Sequence, residues 1–317
     1  MSVSESTATG DGSTAVDEQS RSGGVRPNKR PRGSGGDRAL TPLTHVVLVV
    51  WTLVTALPVL WVFASSLKTD NEIFVDSWKL PKVLMWENYA RAWGESGFKD
   101  YFLNSVIVVG CSVVLVMVLG SMVAYCLARY EFPGRKILLG LFVGANAVPM
   151  FVALVPLFAI MKRGIPLGPI QIPLLNTYHG LIAVYTAWAL SFTVFFLTSF
   201  FRALPQEVYE AAFVDGAGHF KTFFLVMLPM ARPGLISIGI FNALGLWNQY
   251  LIPLFLNPDP KHYVITQGLA KMAADTNYAS DFSGLFAGLV IGMAPVLILY
   301  FIFQKQIQTG MTAGAVK

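Results

Sequence analysis

Long stretches without a charged side chain alternate along this chain with short segments rich in Pro, Gly, Arg and acidic residues. Apolar runs fall at 43–67, 102–128, 136–161, 178–201, 233–256 and 284–304. Each is long enough to cross about 30 Å of hydrocarbon as a helix. In lipid, only helices and closed barrels satisfy every backbone polar group. The pattern therefore predicts an all-α membrane protein with six transmembrane helices. Pro149 and Pro156 interrupt the third run and Pro253 falls in the fifth, which predicts kinks in those helices. Gly140/Gly144 and Gly284/Gly288/Gly292 recur every four residues, a spacing that lets helix backbones approach closely.

Residues 1–40 are rich in Ser, Gly, Thr and Arg and nearly devoid of aliphatic residues, so they bury too little surface to offset the entropy of ordering. They are expected to form a disordered tail. The tail is too long and polar for the start of a signal peptide, and the first apolar run has no clear cleavage site, so that run is expected to remain as an anchor. Six crossings place both termini on one side. Arg21, Arg26, Lys29, Arg30, Arg32 and Arg38 put that side in the cytoplasm by the positive-inside rule. The connection 129–136, "RYEFPGRK", is also basic and falls inside, whereas loop 68–100 carries five Lys/Arg against six Asp/Glu and falls outside.

Composition sharpens this reading. Hydrophobic residues make up 54% of the chain and charged residues 13%, with a mean hydropathy of +0.57, which leaves too few charges to solvate an ordinary globular surface. Cys111 and Cys126 share one apolar run and provide no disulfide framework. The four histidines, His45, His179, His219 and His262, stand singly and form no metal-binding pair. No Asp, Glu, Lys or Arg lies near the middle of an apolar run, where an ion- or proton-coupled carrier places such groups. No nucleophile, acid–base pair or internal inverted repeat supports a membrane enzyme or a self-contained secondary carrier.

The connection from Arg202 to Arg232 is not an ordinary linker. Pro205 suits the first helical position, and Glu207 and Glu210 place negative charge near the positive end of a helix dipole. Tyr209, Ala212 and Phe213 gather on one face, and Asp215-Gly216 signals a break. A second amphipathic stretch runs from His219 to Leu228, until Pro229 and Pro233 stop it. Two short helices joined at a glycine form a protrusion suited to a groove on another protein. The string from Gly216 to Thr222 superficially resembles a phosphate-binding loop. However, Phe220 occupies the position before Lys221 where such a loop needs Gly, and no strand pattern precedes it.

The run Glu210-Ala211-Ala212-Phe213-Val214-Asp215-Gly216-Ala217, closed by Leu228-Pro229, resembles the signature of the integral membrane subunits of ATP-binding-cassette importers, in the carbohydrate-uptake branch related to the maltose permease. "ENYARAW" (87–93), Asn104-Ser105, "ARYEFPGR" (128–135), "FNALGLWNQYLIPL" (241–254) and "TAGAVK" (312–317) extend the resemblance over residues 42–317. It implies a coupling helix that docks into a separate ATPase subunit. Gly216 would permit the close approach, Glu210 and Asp215 would fix the loop, and Phe220 would be the anchor in the cleft. The implied partners are a homologous second permease subunit, two ATPase subunits or an ATPase homodimer, an extracytoplasmic solute-binding protein and the lipid membrane; no nucleic acid is involved. This chain would bind no cofactor, ATP–Mg residing on the ATPase, and would lie in a bacterial-type cell membrane.

The implied solute is a sugar or sugar derivative, with a non-sugar solute such as a glycerophospho compound as the alternative. Trp247, Asn248, Gln249 and Tyr250 combine aromatic faces with hydrogen-bonding groups, as sugar recognition requires, and equally suit packing between helices. Asn146, beside Pro149, is a further candidate for the substrate path. Gln249 departs from the family, in which many relatives carry an acidic residue after the Trp-Asn pair. "NTYHG" (176–180) opens the fourth span on the outside and could serve a gate or the binding protein. Deleting residues 1–40, which lie outside the resemblance, is expected to leave uptake largely intact; normal insertion with abolished uptake would show that the tail has a partner.

Overall fold

The computed structural model describes residues 35–94, 97–279 and 281–315. Most of the expected tail, residues 1–34, lies outside the described residues, and the first helix, α1, begins at Gly35 and ends at Ser65. The chain divides into two units, Met1–Thr55 and Ala56–Lys317. In the first, the apolar side chains from Val46 to Val54 are exposed. Thr52 and Thr55 turn their hydroxyls back onto the carbonyls of Leu48 and Trp51 at 2.8 and 2.9 Å, leaving an apolar outer surface suited to lipid.

In the second unit, α2 (Asp70–Val75) starts with a reciprocal cap between Thr69 and Glu72. Then come α3 (Glu87–Gly94), α4 (Phe98–Arg129), α5 (Arg135–Ala145) and α6 (Met150–Arg163). A small antiparallel hairpin, β1 (Ile165–Leu167) with β2 (Ile170–Ile172), leads to α7 (Tyr178–Ala203). The remaining helices are α8 (Gln206–Val214), α9 (His219–Met230), α10 (Arg232–Trp247), α11 (Leu251–Leu256), α12 (Ile265–Ala279) and α13 (Phe282–Ala315). Within α9, residues 222–227 form a wider π-helical turn.

Among the described residues, four helical segments are individually long and apolar enough to cross a membrane: Thr44–Ser65, Phe98–Arg129, Tyr178–Ala203 and Phe282–Gln306. Two of the six expected spans are therefore not continuous rods. The run at 136–161 is split into α5 and α6, bent by 101° across residues 146–149. Pro149 sits just ahead of α6 in extended backbone, whereas Pro156 is absorbed inside that helix. The run at 233–256 breaks at 248–250, ahead of Pro253, which lies within α11. α9 and α10 meet at 76° around Ala231. The hairpin and α12 have no counterpart in the hydrophobic pattern, because neither is long or apolar enough to register as a span.

α4 and α7 form the spine, with one apolar cluster at each end. Phe98, Val108, Leu181, Tyr185, Ile252 and Ile265 belong to the first; Tyr125, Leu197, Phe201, Phe223, Met227 and Ile238 belong to the second. Gly120 makes the pairing close, since a Cβ there would come 2.6 Å from Thr193 Cγ2. Gly288 likewise lies against Met272 and Leu269 of α12, and Gly292 against Leu269 and Ile265, whereas a Cβ on Gly140 or Gly144 would meet nothing within 4 Å. The four-residue spacing thus marks packing in α13 and not in α5.

Asn104 and Ser105 act as polar fasteners at the α3 end of the spine. Asn104 Nδ2 donates to the carbonyls of Lys261 and Tyr263 at 3.0 and 2.9 Å, its Oδ1 accepts from the Tyr178 hydroxyl at 2.8 Å, and Ser105 Oγ accepts from the Ile265 amide at 2.7 Å. Buried Lys68 donates to the carbonyls of Asp76 and Ser77. Arg91 of "ENYARAW" grips Asp281 with two bonds, at 3.2 and 3.0 Å, and so ties α3 to the start of α13.

Candidate functional site

Two places carry the candidate residues. The first is the loop α8–α9. Pro205 takes the N-cap position of α8, one residue ahead of the expected first helical turn, with ψ 134°. At the other end, the Gly216 amide donates to the Phe213 carbonyl at 3.0 Å and the Ala217 amide to the Ala212 carbonyl at 2.9 Å. This is a Schellman closure, which needs a left-handed residue at its centre; Gly216 supplies it with φ +80°. A Cβ on Gly216 would meet nothing within 4 Å, so conformation and not crowding demands glycine here.

The loop has two faces. Glu210, Ala211, Asp215, Gly216, Phe220 and Pro229 are exposed; Ala212 is buried, and Ala217 and Leu228 are half-buried. Val214, Phe220 and Leu225 are 87%, 75% and 72% exposed, so the outer face of the loop carries free apolar surface. Glu210 accepts a bond from Gln206 Nε2 at 3.2 Å. On the inner face, Phe213 stacks edge-on with Tyr209 and His219 at 5.0 and 5.1 Å. Desolvation, with Tyr130 alongside, pushes the Tyr209 hydroxyl above the usual phenol range and keeps it neutral.

The second place is a cavity of about 750 Å³ between the α5–α6 break, α7 and α10. Asn146, Asn242 and Gln249 bring amides to its wall, Trp188, Phe192 and Phe241 bring aromatic faces, and alanines fill much of the remainder; none of its lining side chains is charged. The amides retain capacity. Asn242 Nδ2 donates to Thr193 Oγ1 at 2.8 Å, Asn146 Nδ2 to the Phe142 carbonyl at 2.9 Å, and Gln249 Nε2 reaches only Met150 Sδ at 3.5 Å. Thioether sulfur is a weak acceptor, so Gln249 Nε2 has little to lose by turning to a ligand, while Oε1 accepts from the Tyr250 amide at 3.1 Å.

The cluster 247–250 is divided by the helix break. Gln249 joins Asn146 in the large cavity. Trp247 turns away, donating from Nε1 to the Gly292 carbonyl at 3.1 Å and packing edge-on to Phe102 at 5.6 Å. With Asn248, which donates to the Leu244 carbonyl, it borders a separate cavity of about 160 Å³. Tyr250 lines neither of these two cavities. Sequence reading missed Trp188, Phe192, Phe241 and Asn242 as cavity residues. Asn242 had a signal, being an amide inside an apolar run; the aromatics had none, since an aromatic in a span is ordinarily packing.

Residues 116–313, which include both places, match the family described as the binding-protein-dependent transport system inner membrane component. The chain belongs to this family. It is 46% identical over 281 residues to the diacetylchitobiose uptake system permease protein of Streptomyces coelicolor, covering 89% of this chain and 90% of that protein. It is 31% identical to the trehalose transport system permease protein of Mycobacterium tuberculosis, covering 82% and 92% of the two. Its fold is similar to that of a solved bacterial ATP-binding-cassette transporter involved in import of the acidic polysaccharide alginate, with a TM-score of 0.75 over 87% of this chain and 99% of the other. At 21% identity that likeness concerns the fold alone. The permease is thus a multi-pass membrane protein and a transport component, not an enzyme.

Proposed function

We propose that this permease forms one half of the membrane passage of an ATP-binding-cassette importer and passes an uncharged, N-acetylated oligosaccharide handed over by an extracytoplasmic binding protein. The observation that carries this reading is the uncharged cavity with three amides and three aromatic faces. Sugar rings stack their C–H faces on aromatics and bond their hydroxyl and amide groups to Asn and Gln, while acetyl methyls suit the alanine wall. The 46% identical relative is a diacetylchitobiose permease. A phosphorylated solute such as a glycerophospho compound fits less well, because the cavity wall offers no cation to pair with phosphate.

In this reading the bent pair α5–α6 forms the third span and the broken run of α10 and α11 the fifth, giving six crossings with both termini in the cytoplasm, and the α8–α9 loop is the coupling element that meets an ATPase subunit. ATP–Mg binds on two such subunits, and a second, homologous permease chain completes the passage. The exposed apolar face of the loop and the Schellman closure support the docking role. The test is uptake of labelled diacetylchitobiose into proteoliposomes holding the complete complex, with ATP inside and binding protein outside. Uptake is expected to exceed that of the deacetylated, cationic disaccharide and of an acidic disaccharide. Uptake by the permease without any ATPase would overturn the reading, and preference for an acidic sugar would overturn the assignment of the solute.

A further inference from the structure

The last turn of α4 holds every arm of the α8–α9 loop. Arg129 donates from Nη1 to Gln206 Oε1 at 2.7 Å and from Nη2 to the carbonyls of Phe201 and Leu204 at 2.7 and 2.8 Å. Its guanidinium carbon lies 5.7 Å from the centroid of the Tyr209 ring. One side chain thus joins the end of α7 to the first turn of α8 and to the aromatic on its inner face. Beside it, the Tyr130 hydroxyl lies 2.8 Å from His219 Nδ1 at the start of α9. A guanidinium suits this task because its planar fork presents several donors in fixed directions, whereas an ammonium is a compact point charge on a flexible stem.

The connection continues away from the loop. α4 and α7 pack closely where the Thr193 side chain lies against the backbone of Gly120, a contact through which a shift of one helix bears directly on the other. Thr193 Oγ1 accepts the 2.8 Å bond from Asn242, whose side chain is part of the cavity wall. We propose that Arg129 is a positioning residue for coupling: it carries displacement of the α8–α9 loop into the α4–α7 pair and, through Thr193 and Asn242, into the cavity wall. The proposal rests on the docking role given to the loop above, and it adds that docking and transmission reside in different residues.

The experiment uses the complete complex in proteoliposomes with binding protein. Arg129→Ala is expected to retain the ATPase subunits on purification and to keep basal ATP hydrolysis, while uptake and binding-protein-stimulated hydrolysis fall about tenfold, within the usual range of coupling between sites. Arg129→Lys, which keeps a donor for the carbonyls but loses the fork, is expected to fall between Ala and wild type. Gln206→Ala, which removes the loop-side bond of Arg129 together with the exposed 3.2 Å bond to Glu210, is expected to reduce stimulation with association intact. Wild-type stimulation in Arg129→Ala would overturn the proposal. So would loss of the ATPase from both Arg129→Ala and Gln206→Ala, because the arginine would then merely shape the docking face. If Arg129→Ala fails to accumulate, Gln206→Ala decides: reduced stimulation supports the proposal and full stimulation overturns it. Failure of the docking reading itself is seen separately, as unchanged ATPase association in Gly216→Leu.

Discussion

Replacing Gly216 with Leu is expected to leave the permease in the membrane at wild-type abundance and to abolish ATP-driven uptake, with the ATPase no longer copurifying. Gly216 lies outside the apolar spans and contacts no core side chain, so insertion and packing do not depend on it. Its φ of +80° is the issue. A leucine held in the left-handed region costs roughly 1–2 kcal/mol. The alternative is to release the Schellman closure, freeing the amides of Gly216 and Ala217 and re-aiming α9 relative to α8. Either way, a large side chain is added at the exposed face that is read here as the docking surface. Glu210→Lys, which reverses charge on the exposed face of the same helix, is expected to weaken association in the same direction. Uptake by proteoliposomes and the ATPase-to-permease ratio after purification are the measurements. Wild-type values for both in a well-expressed Gly216→Leu variant would mean that the docking element lies elsewhere.

Filling the cavity is expected to have an effect of similar size with the opposite signature. Ala187 is an exposed residue of α7 on the cavity wall, so a tryptophan there projects into open space and does not overpack the spine. Ala187→Trp should assemble with its ATPase normally, and uptake should fall to background because the added ring occupies the volume and covers the amides around it. Lost uptake with retained ATPase association would separate a blocked passage from a broken coupling; retained wild-type uptake in this variant would show that the solute does not traverse the cavity. Comparing the two variants distinguishes the roles of the two places, since one loses its partner and the other keeps it.

The sequence by itself determined the class, the family and the loop. Uninterrupted apolar runs specify helices in lipid because no other local structure satisfies the backbone there, and the alignment of Glu210, Gly216 and Pro229 marks a local motif whose geometry depends on residues only a few positions apart. The glycine requirement at Gly216 was legible for the same reason: a helix that must stop and turn at Asp215-Gly216 calls for a left-handed residue. Tertiary structure decided the cavity and the polar links between helices. Trp247, Asn248, Gln249 and Tyr250 are adjacent in the chain, yet the helix break at 248–250 separates them, so Gln249 faces Asn146 while Trp247 packs on α13. Asn242 and Thr193 are 49 positions apart, and Arg129 and Gln206 are 77 apart; nothing in local periodicity relates them. Hydrophobic pattern reports which face of a helix avoids water, and a span surrounded by lipid and apolar neighbours avoids it on every side. Which faces meet, and what space lies between them, is set by the bends at 146–149 and 248–250 and by the close approach at Gly120, which only the folded chain displays.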